Sequence, residues 1–319
     1  MGYGQLRFRQ WGGVAATASA LALLQACGAA DDGGNDPASS SSESLTQAAA
    51  KPAGDIDPSM TKTLNASFSV PPGGEVFYCQ TFKNPWAKEV DIKTYTVVST
   101  GVVLDTAAFY DVGATDGAVA PCPNGGLTTG QLTFASSAGN QTLTYPGAVG
   151  ATIPKNTGFN LYVHAINTTA ASEATTVALT MEVASAGVVT KHAGVVWLDN
   201  TAMVVPPGGR NSSIATYTLP QAVHVVASTG EMSKFGTNLS LTAGGSTLFQ
   251  TTNWNQPPTQ TESPALALPT GTSLSWTCTD SNPTSVTLVF GGSSISNVRC
   301  RALSFVYPVS DVTQPVLRN

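Results

Sequence analysis

The chain has 319 residues, of which only 10% are charged, with 14 basic against 19 acidic side chains. A net charge of −5 offers no basic surface for the phosphates of a nucleic acid and no polybasic grip on anionic lipid. With so few charges, solubility rests on Ser, Thr, Asn and Gln, a surface chemistry common among exported β proteins.

Residues 1–26 read as a targeting segment. Arg7 and Arg9 make a basic start, and Val14 to Leu24 is an apolar run too short to span a bilayer as a mature helix. The run closes on Leu24-Gln25-Ala26-Cys27, which resembles a bacterial lipobox and implies a lipid anchor on Cys27, the chain's expected link to a membrane. Gly28, not aspartate, follows the cysteine, so the outer membrane is the expected destination in a Gram-negative cell. Cleavage removes two arginines and leaves 12 basic against 19 acidic residues, a charge of −7. Residues 27–59 are mostly Ala, Gly, Asp, Ser and Pro. Such a stretch buries too little apolar surface to offset its conformational entropy, which predicts a flexible tether.

Beyond the tether the chain reads as strand almost throughout. Alternating or β-branched runs predict strands at Glu75–Lys83, Val90–Ser99, Gly158–Asn167, Thr175–Val183, Ala222–Ser228, Asn238–Thr242, Ser273–Cys278, Ser285–Phe290 and Ala302–Tyr307. Pro-Gly-Gly, Asn-Gly-Gly, Ala-Gly-Gly and Asn-Pro steps punctuate them. The phrase Val70-Pro71-Pro72-Gly73-Gly74 recurs 135 residues later as Val205-Pro206-Pro207-Gly208-Gly209. A repeat at domain length indicates two related modules in tandem, since solenoid periods are far shorter. The expected fold is therefore all-β, two tandem antiparallel β-sandwiches at 60–188 and 189–312, with a tail at 313–319.

Cysteine usage fits this division. Apart from Cys27, Cys79 and Cys122 fall in the first module and Cys278 and Cys300 in the second. An even number per module in an exported protein predicts the disulfides Cys79–Cys122 and Cys278–Cys300. In the chain-entropy account each contributes roughly 3–4 kcal/mol. No C-x-x-C spacing supports a thiolate metal site.

Other chemistry is sparse. The three histidines, His164, His192 and His224, are dispersed. Asn65, Asn167, Asn211 and Asn238 begin N-x-S/T triplets that are incidental in a bacterial lipoprotein. Gly291-Gly292-Ser293 opens no helix and is no phosphate loop, no G-x-S-x-G elbow is present, and the carboxylates are too scattered to nominate a glycosidase pair. Trp254 and Trp276 are expected to pack in the second core.

One ordered set of residues stands out. The first module offers Phe77-Tyr78-Cys79, Tyr145-Pro146-Gly147, Ile153-Pro154-Lys155 and Leu161-Tyr162-Val163-His164. The second offers His224 through Glu231-Met232-Ser233-Lys234-Phe235-Gly236, then Trp276-Thr277-Cys278, Arg299-Cys300 and Tyr307-Pro308. This order resembles the copper type II, ascorbate-dependent monooxygenases, the family of peptidylglycine α-hydroxylating monooxygenase and dopamine β-monooxygenase. The resemblance covers both modules. It implies jelly-roll-like sandwiches, one copper per sandwich facing the other across a solvated cleft, and hydroxylation of a C–H bond.

The ligands implied by the resemblance are mostly absent. An adjacent histidine pair is replaced by Ala107-Ala108, while His164 matches the third position of the first copper. A His-x-His pair is replaced by Glu231 and Ser233, and the methionine expected before the last cysteine is Arg299. Affinity for copper grows with several converging nitrogen or sulfur donors, and a lone imidazole supplies one. A scaffold without its metal chemistry follows, in which Glu231 and Arg299 either form a charge-assisted link where ligands converge in the family or each point into solvent. The expected role is non-catalytic, in binding, interaction or structure, with no cofactor and no partner that the residues identify. The other reading is an active copper monooxygenase.

Overall fold

The computed structural model describes residues 55–123, 130–291, 297–310 and 316–318. The lipidation position Cys27, the targeting segment and most of the expected tether lie outside the described residues. Residues 55–59 do not belong to a tether. Ile56 bridges Ala184, Asp57 N–H donates to Val183 at 2.9 Å, and Pro58–Met60 makes a short 3-10 turn capped by the Asp57 side chain.

The first half of the described chain supplies strands β1 (Lys62–Val70), β2 (Glu75–Phe82), β3 (Val90–Thr100), β4 (Val103–Val112), β5 (Ala120–Pro121), β6 (Gln131–Ser136), β7 (Gln141–Thr144), β8 (Val149–Ile153), β9 (Thr157–Ile166), β10 (Glu173–Val183) and β11 (Lys191–His192). The second supplies β12 (Gly194–Asp199), β13 (Val204–Val205), β14 (Arg210–Thr218), β15 (Val223–Met232), β16 (Gly236–Ala243), β17 (Ser246–Thr251), β18 (Gln260–Leu268), β19 (Ser273–Ser281), β20 (Leu288–Val289), β21 (Cys300–Tyr307) and β22 (Val316–Arg318). The strand expected over Ser285–Phe290 contracts to β20, because Asn282, Thr284 and Val286 are committed to a side-chain-bonded turn. Val316–Arg318, expected in the tail, pairs in parallel with β12.

The pairing makes the fold an all-β jelly roll, twice over. Sheet 1 runs β1-β10-β3-β8-β11 with β7 also on β3, and sheet 2 runs β5-β2-β9-β4-β6. Sheet 3 runs β18-β15-β21-β12-β22 and sheet 4 runs β14-β19-β16-β17. Each half thus interleaves two four-stranded cores in the double Greek-key order of a jelly roll. The two disulfides form as expected, Cys79–Cys122 and Cys278–Cys300.

The sheets stack in the order 1, 2, 3, 4. One core gathers Tyr95, Leu143, Phe159 and Leu161 from sheets 1 and 2, together with Val195, Ala227, Leu303 and Phe305 from sheet 3. The other lies between sheets 3 and 4, around Trp276, Phe249, Leu241 and Val306, with Trp254 partly buried against it. Sheet 2 is therefore covered on both faces. This explains why Thr157–Ile166 is buried along nearly its whole length and shows no polar alternation. The outer face of sheet 1 instead carries cross-strand hydroxyl pairs, Thr63 with Thr180 at 2.9 Å and Thr100 with Thr176 at 2.7 Å.

The repeated Val-Pro-Pro-Gly-Gly phrase has one local cause. Gly73 and Gly208 turn with φ of 62° and 63°, a region L side chains avoid. A Cβ on Gly74 would meet Pro71 Cγ at 2.7 Å, and one on Gly209 would meet Pro206 Cγ at 2.8 Å. Both copies launch the strand that begins the second sheet of their half, β2 and β14.

Candidate functional site at the seam between the jelly rolls

Strand alternation decides which side chains meet between sheets 2 and 3. On β2 and β9, Glu75, Phe77, Tyr162 and His164 share the face turned toward the second half. On sheet 3 the opposing face carries Val195, Trp197 and Asp199 from β12, Arg301, Leu303 and Phe305 from β21, and Ala227 and Glu231 from β15. The apolar members of that face close one end of the seam, where the Phe134 and Phe305 rings stack 6.4 Å apart. The charged members collect at the other.

There Glu231 accepts from both arginines. Arg299 Nη1 donates to Glu231 Oε1, Arg301 Nη1 donates to Oε2 at 3.0 Å, and Arg301 also grips Asp199 through two nitrogens at 2.7 and 3.3 Å. The Arg299 and Glu231 side chains are only 12% and 13% exposed. Arg301 lies 4.5 Å from the Trp197 ring centre, and Arg299 lies 5.2 Å from that of Phe77. From the first half, buried His164 bonds Glu75 Oε1 through Nε2 at 2.9 Å and stacks on Phe77 at 4.2 Å. Burial alone would raise the Glu231 carboxyl, but Arg299, then Arg301 and His164, hold it at about 2. Burial would likewise lower Arg301, yet Asp199 and Glu231 push it above its ordinary value.

Of the residues singled out in the sequence, the seam brings together His164, Ala107, Glu231 and Arg299. Ala107, Tyr162, Trp197, Glu231 and Arg301 line a recess of about 20 Å3, room for about one water molecule. Ala108 is fully buried on the opposite face of β4, in the first core. Ser233 also lies elsewhere. It follows the end of β15, has no exposure, and donates to Asp280 Oδ1 at 2.9 Å. Met232 points into the second core. His192 Nδ1 lies 2.7 Å from Thr152 Oγ1, and His224 stacks on Tyr307 at 5.0 Å, far along β15 from Glu231.

This donor set does not suit copper. The His164 Nε2 edge is held by a carboxylate, two guanidinium cations stand where further donors would be needed, and the carboxylate between them is saturated by those cations. Among the described residues no three His, Cys, Asp or Glu side chains gather at metal-binding spacing. What the arrangement does is electrostatic: it links β12, β15 and β21 of sheet 3 through four compensated charges and sets Arg299 against the Phe77 ring of sheet 2.

Sequence reasoning reached Glu231 and Arg299 but missed Arg301, Asp199 and Glu75. Their signal was rarity. In a chain with 10% charged residues, an acid closing the apolar strand Val195-Val196-Trp197-Leu198-Asp199 is a charge that needs a partner.

A second buried acid stands apart. Asp280 has no exposure and only Ser233 bonds it among the described residues, with Oδ2 unpartnered. Burial raises its carboxyl to about 6 against the opposing pull of the Ser233 bond. The stability it contributes is thus full below its unfolded value of 3.8 and is lost as pH rises through about 6. Asp280→Asn, which mimics the neutral acid, should raise the unfolding free energy at pH 8 by about 1–2 kcal/mol and leave it nearly unchanged at pH 4. Urea unfolding at the two pH values checks this.

No family model matches the sequence, and no curated protein matches it. Among solved structures, the chain aligns with one titled as the structure of infectious bursal disease virus Gx strain, at 11% identity and a TM-score of 0.17 over 80% of this chain and 74% of that one. It also aligns with a cupin 2 conserved barrel domain protein from Leptotrichia buccalis, at 8% identity and a TM-score of 0.13 over 78% and 90%. Superpositions this loose carry neither fold kinship nor function.

Proposed function

We propose that this chain is a lipid-anchored, exported protein of the bacterial cell envelope whose double jelly roll serves a non-catalytic role in binding or structure. The Leu24-Gln25-Ala26-Cys27 sequence and the polar stretch after it support the anchor, and Gly28 supports the outer membrane. The observation that carries the non-catalytic reading is the Arg299–Glu231–Arg301–Asp199 network. It occupies the seam where the resemblance to copper monooxygenases would require metal donors, on the sheet 3 side and with Arg299 against the Phe77 ring of sheet 2.

Copper titration of the purified chain, followed by thermal unfolding, tests the reading. A ligand that binds only the native state must raise its stability, so equimolar copper should leave the midpoint unchanged, and ascorbate should drive no oxygen consumption. A midpoint raised by several degrees together with ascorbate-dependent oxygen uptake would establish the monooxygenase instead. For the anchor, Cys27→Ser should move the chain from the membrane fraction to the soluble one.

A further inference from the structure

The two halves differ at one corresponding edge. In the first half, β2 is not left open: residues 116–122 run along its outer side. Gly117 N–H donates to Thr81 at 3.0 Å, Cys122 N–H donates to Phe77 at 2.8 Å, β5 pairs with Tyr78 and Cys79, and the Cys79–Cys122 disulfide fastens the cover. The cover comes from the long connection between β4 and β6. In the second half the corresponding connection, between β16 and β17, is the two-residue turn Gly244-Gly245. The element that would shield β14 is absent from that loop.

Register fixes the correspondence. The repeat phrase aligns Glu75 with Arg210, and Glu75 pairs with Ile166 as Arg210 pairs with Ser281. Phe77, Cys79 and Thr81 therefore correspond to Ser212, Ile214 and Thr216. Where the first half has the cysteine that pins the cover, the second has an isoleucine 67% exposed. Among the described residues no backbone group of 211–217 finds a partner beyond β19. By the same correspondence, the outward-facing peptide groups are those of Ser212, Ile214 and Thr216.

Open edges are usually blunted by charge, proline or a bulge. At the edge of sheet 3, β18 carries Glu262, Pro264 and a register break against β15. β14, Arg-Asn-Ser-Ser-Ile-Ala-Thr-Tyr-Thr, has a single charge at its first residue, Arg210, no proline, and pairs with β19 without a break.

We infer that β14 is an interface for a second copy of this chain, joined by antiparallel addition of β14 to β14. The strand is suited to a two-fold axis because Ile214 is its middle residue. Pairing about that axis sets Ile214 against Ile214 of the partner, Ser212 against Thr216 and Arg210 against Thr218, with no like charges opposed. Each outward residue exchanges two backbone hydrogen bonds with its opposite, and sheet 4 continues from one copy into the next. The contact is isologous, so it closes at two copies.

Directly opposed residues of a hydrogen-bonded antiparallel pair have Cα atoms about 5.5 Å apart, within disulfide reach. In the full chain under mild oxidation, Ile214→Cys should give a disulfide-linked dimer on a non-reducing gel several-fold above the parent chain, whose Cys27 sets the background. Ser212→Cys alone, off the axis, should stay at the parent level, while Ser212→Cys combined with Thr216→Cys should link. By sedimentation the unsubstituted chain should reach twice its own mass as concentration rises, and Ile214→Lys, which sets two ammonium groups against each other on the axis, should return it to the single mass. Equal linking at 212 and 214, or a single mass at every concentration, overturns the inference.

Discussion

Replacing Glu231 with alanine should lower the unfolding free energy by about 3–5 kcal/mol, the largest loss expected from any single seam substitution. The reason lies in what is left behind. Glu231 bonds both Arg299 and Arg301, sharing the latter with Asp199, and the Arg299 and Arg301 side chains are only 12% and 20% exposed. Without the carboxylate, two guanidinium groups face each other near His164 in a desolvated seam. The pair itself is a different matter, because desolvation of its members offsets much of their attraction. Glu231→Leu combined with Arg299→Leu should therefore recover most of the loss, since Asp199 continues to neutralise Arg301. Urea unfolding of the single and double variants separates the two quantities. If the single substitution costs under about 1 kcal/mol, the network behaves as an ordinary surface ion pair and does not brace sheet 3 at the seam.

The same carboxyl gives the seam a pH dependence opposite to that of Asp280. A carboxyl held at about 2 contributes stability that is complete above its ordinary 4.5 and is lost as pH falls toward 2. Asp280 works against folding as pH rises through about 6. Together they place the stability optimum of these two sites near pH 4, between the unfolded values of 3.8 and 4.5, in a protein whose remaining charges are few. The two acids also show how environment sorts identical chemistry: one is desolvated beside two cations, the other beside a single hydroxyl.

The fold was legible where one face of a strand is wet. Val90–Thr100 and Glu173–Val183 show their alternation in sequence because sheet 1 has an outer face, and both were located to within about two residues, close to the usual scatter of strand ends. Strands with both faces covered lose that signature, and Gln131–Ser136 and Gly194–Asp199 passed unnoticed. Edge strands failed for another reason. β14 and β18 have no deep face, so their hydroxyl and alanine side chains resemble loop composition. At the seam, Glu231 and Arg299 could be paired from sequence only through a resemblance, because 68 residues separate them. Arg301, two residues beyond Arg299, was available by strand alternation alone. The stacking of sheet 2 on sheet 3 has no sequence signature beyond the loss of polar alternation in Leu161-Tyr162-Val163-His164.

The repeat also has a second half, read in the sequence as a glycosylation triplet at Asn167 and as an Asn-Pro step at Asn282. Asn167 and Asn282, each 1% exposed, end their strands and reach back to the carbonyl of the repeat phrase, Val70 or Val205, at 3.0 Å in both cases. Asn167 also donates to Ala171, and Asn282 to Pro206 and Val286. In each copy the amide oxygen accepts from the N–H and hydroxyl of the threonine two residues on, Thr169 or Thr284. One side chain thus satisfies a turn, a strand end and the start of the next strand. Asn282→Ala removes all of these at once in a buried site and should cost about 3 kcal/mol, since each orphaned buried group carries a penalty of order 1 kcal/mol or more. Asn282→Asp should cost about as much, because a carboxylate cannot donate to the three carbonyls it would face. Asn167→Ala, with one carbonyl fewer to orphan, should cost somewhat less. Thermal and urea unfolding of the three variants check the order. Equal and small losses would mean that the turns hold their shape through Gly73 and Gly208 alone, and that the shared asparagine is a consequence of the fold and not one of its causes.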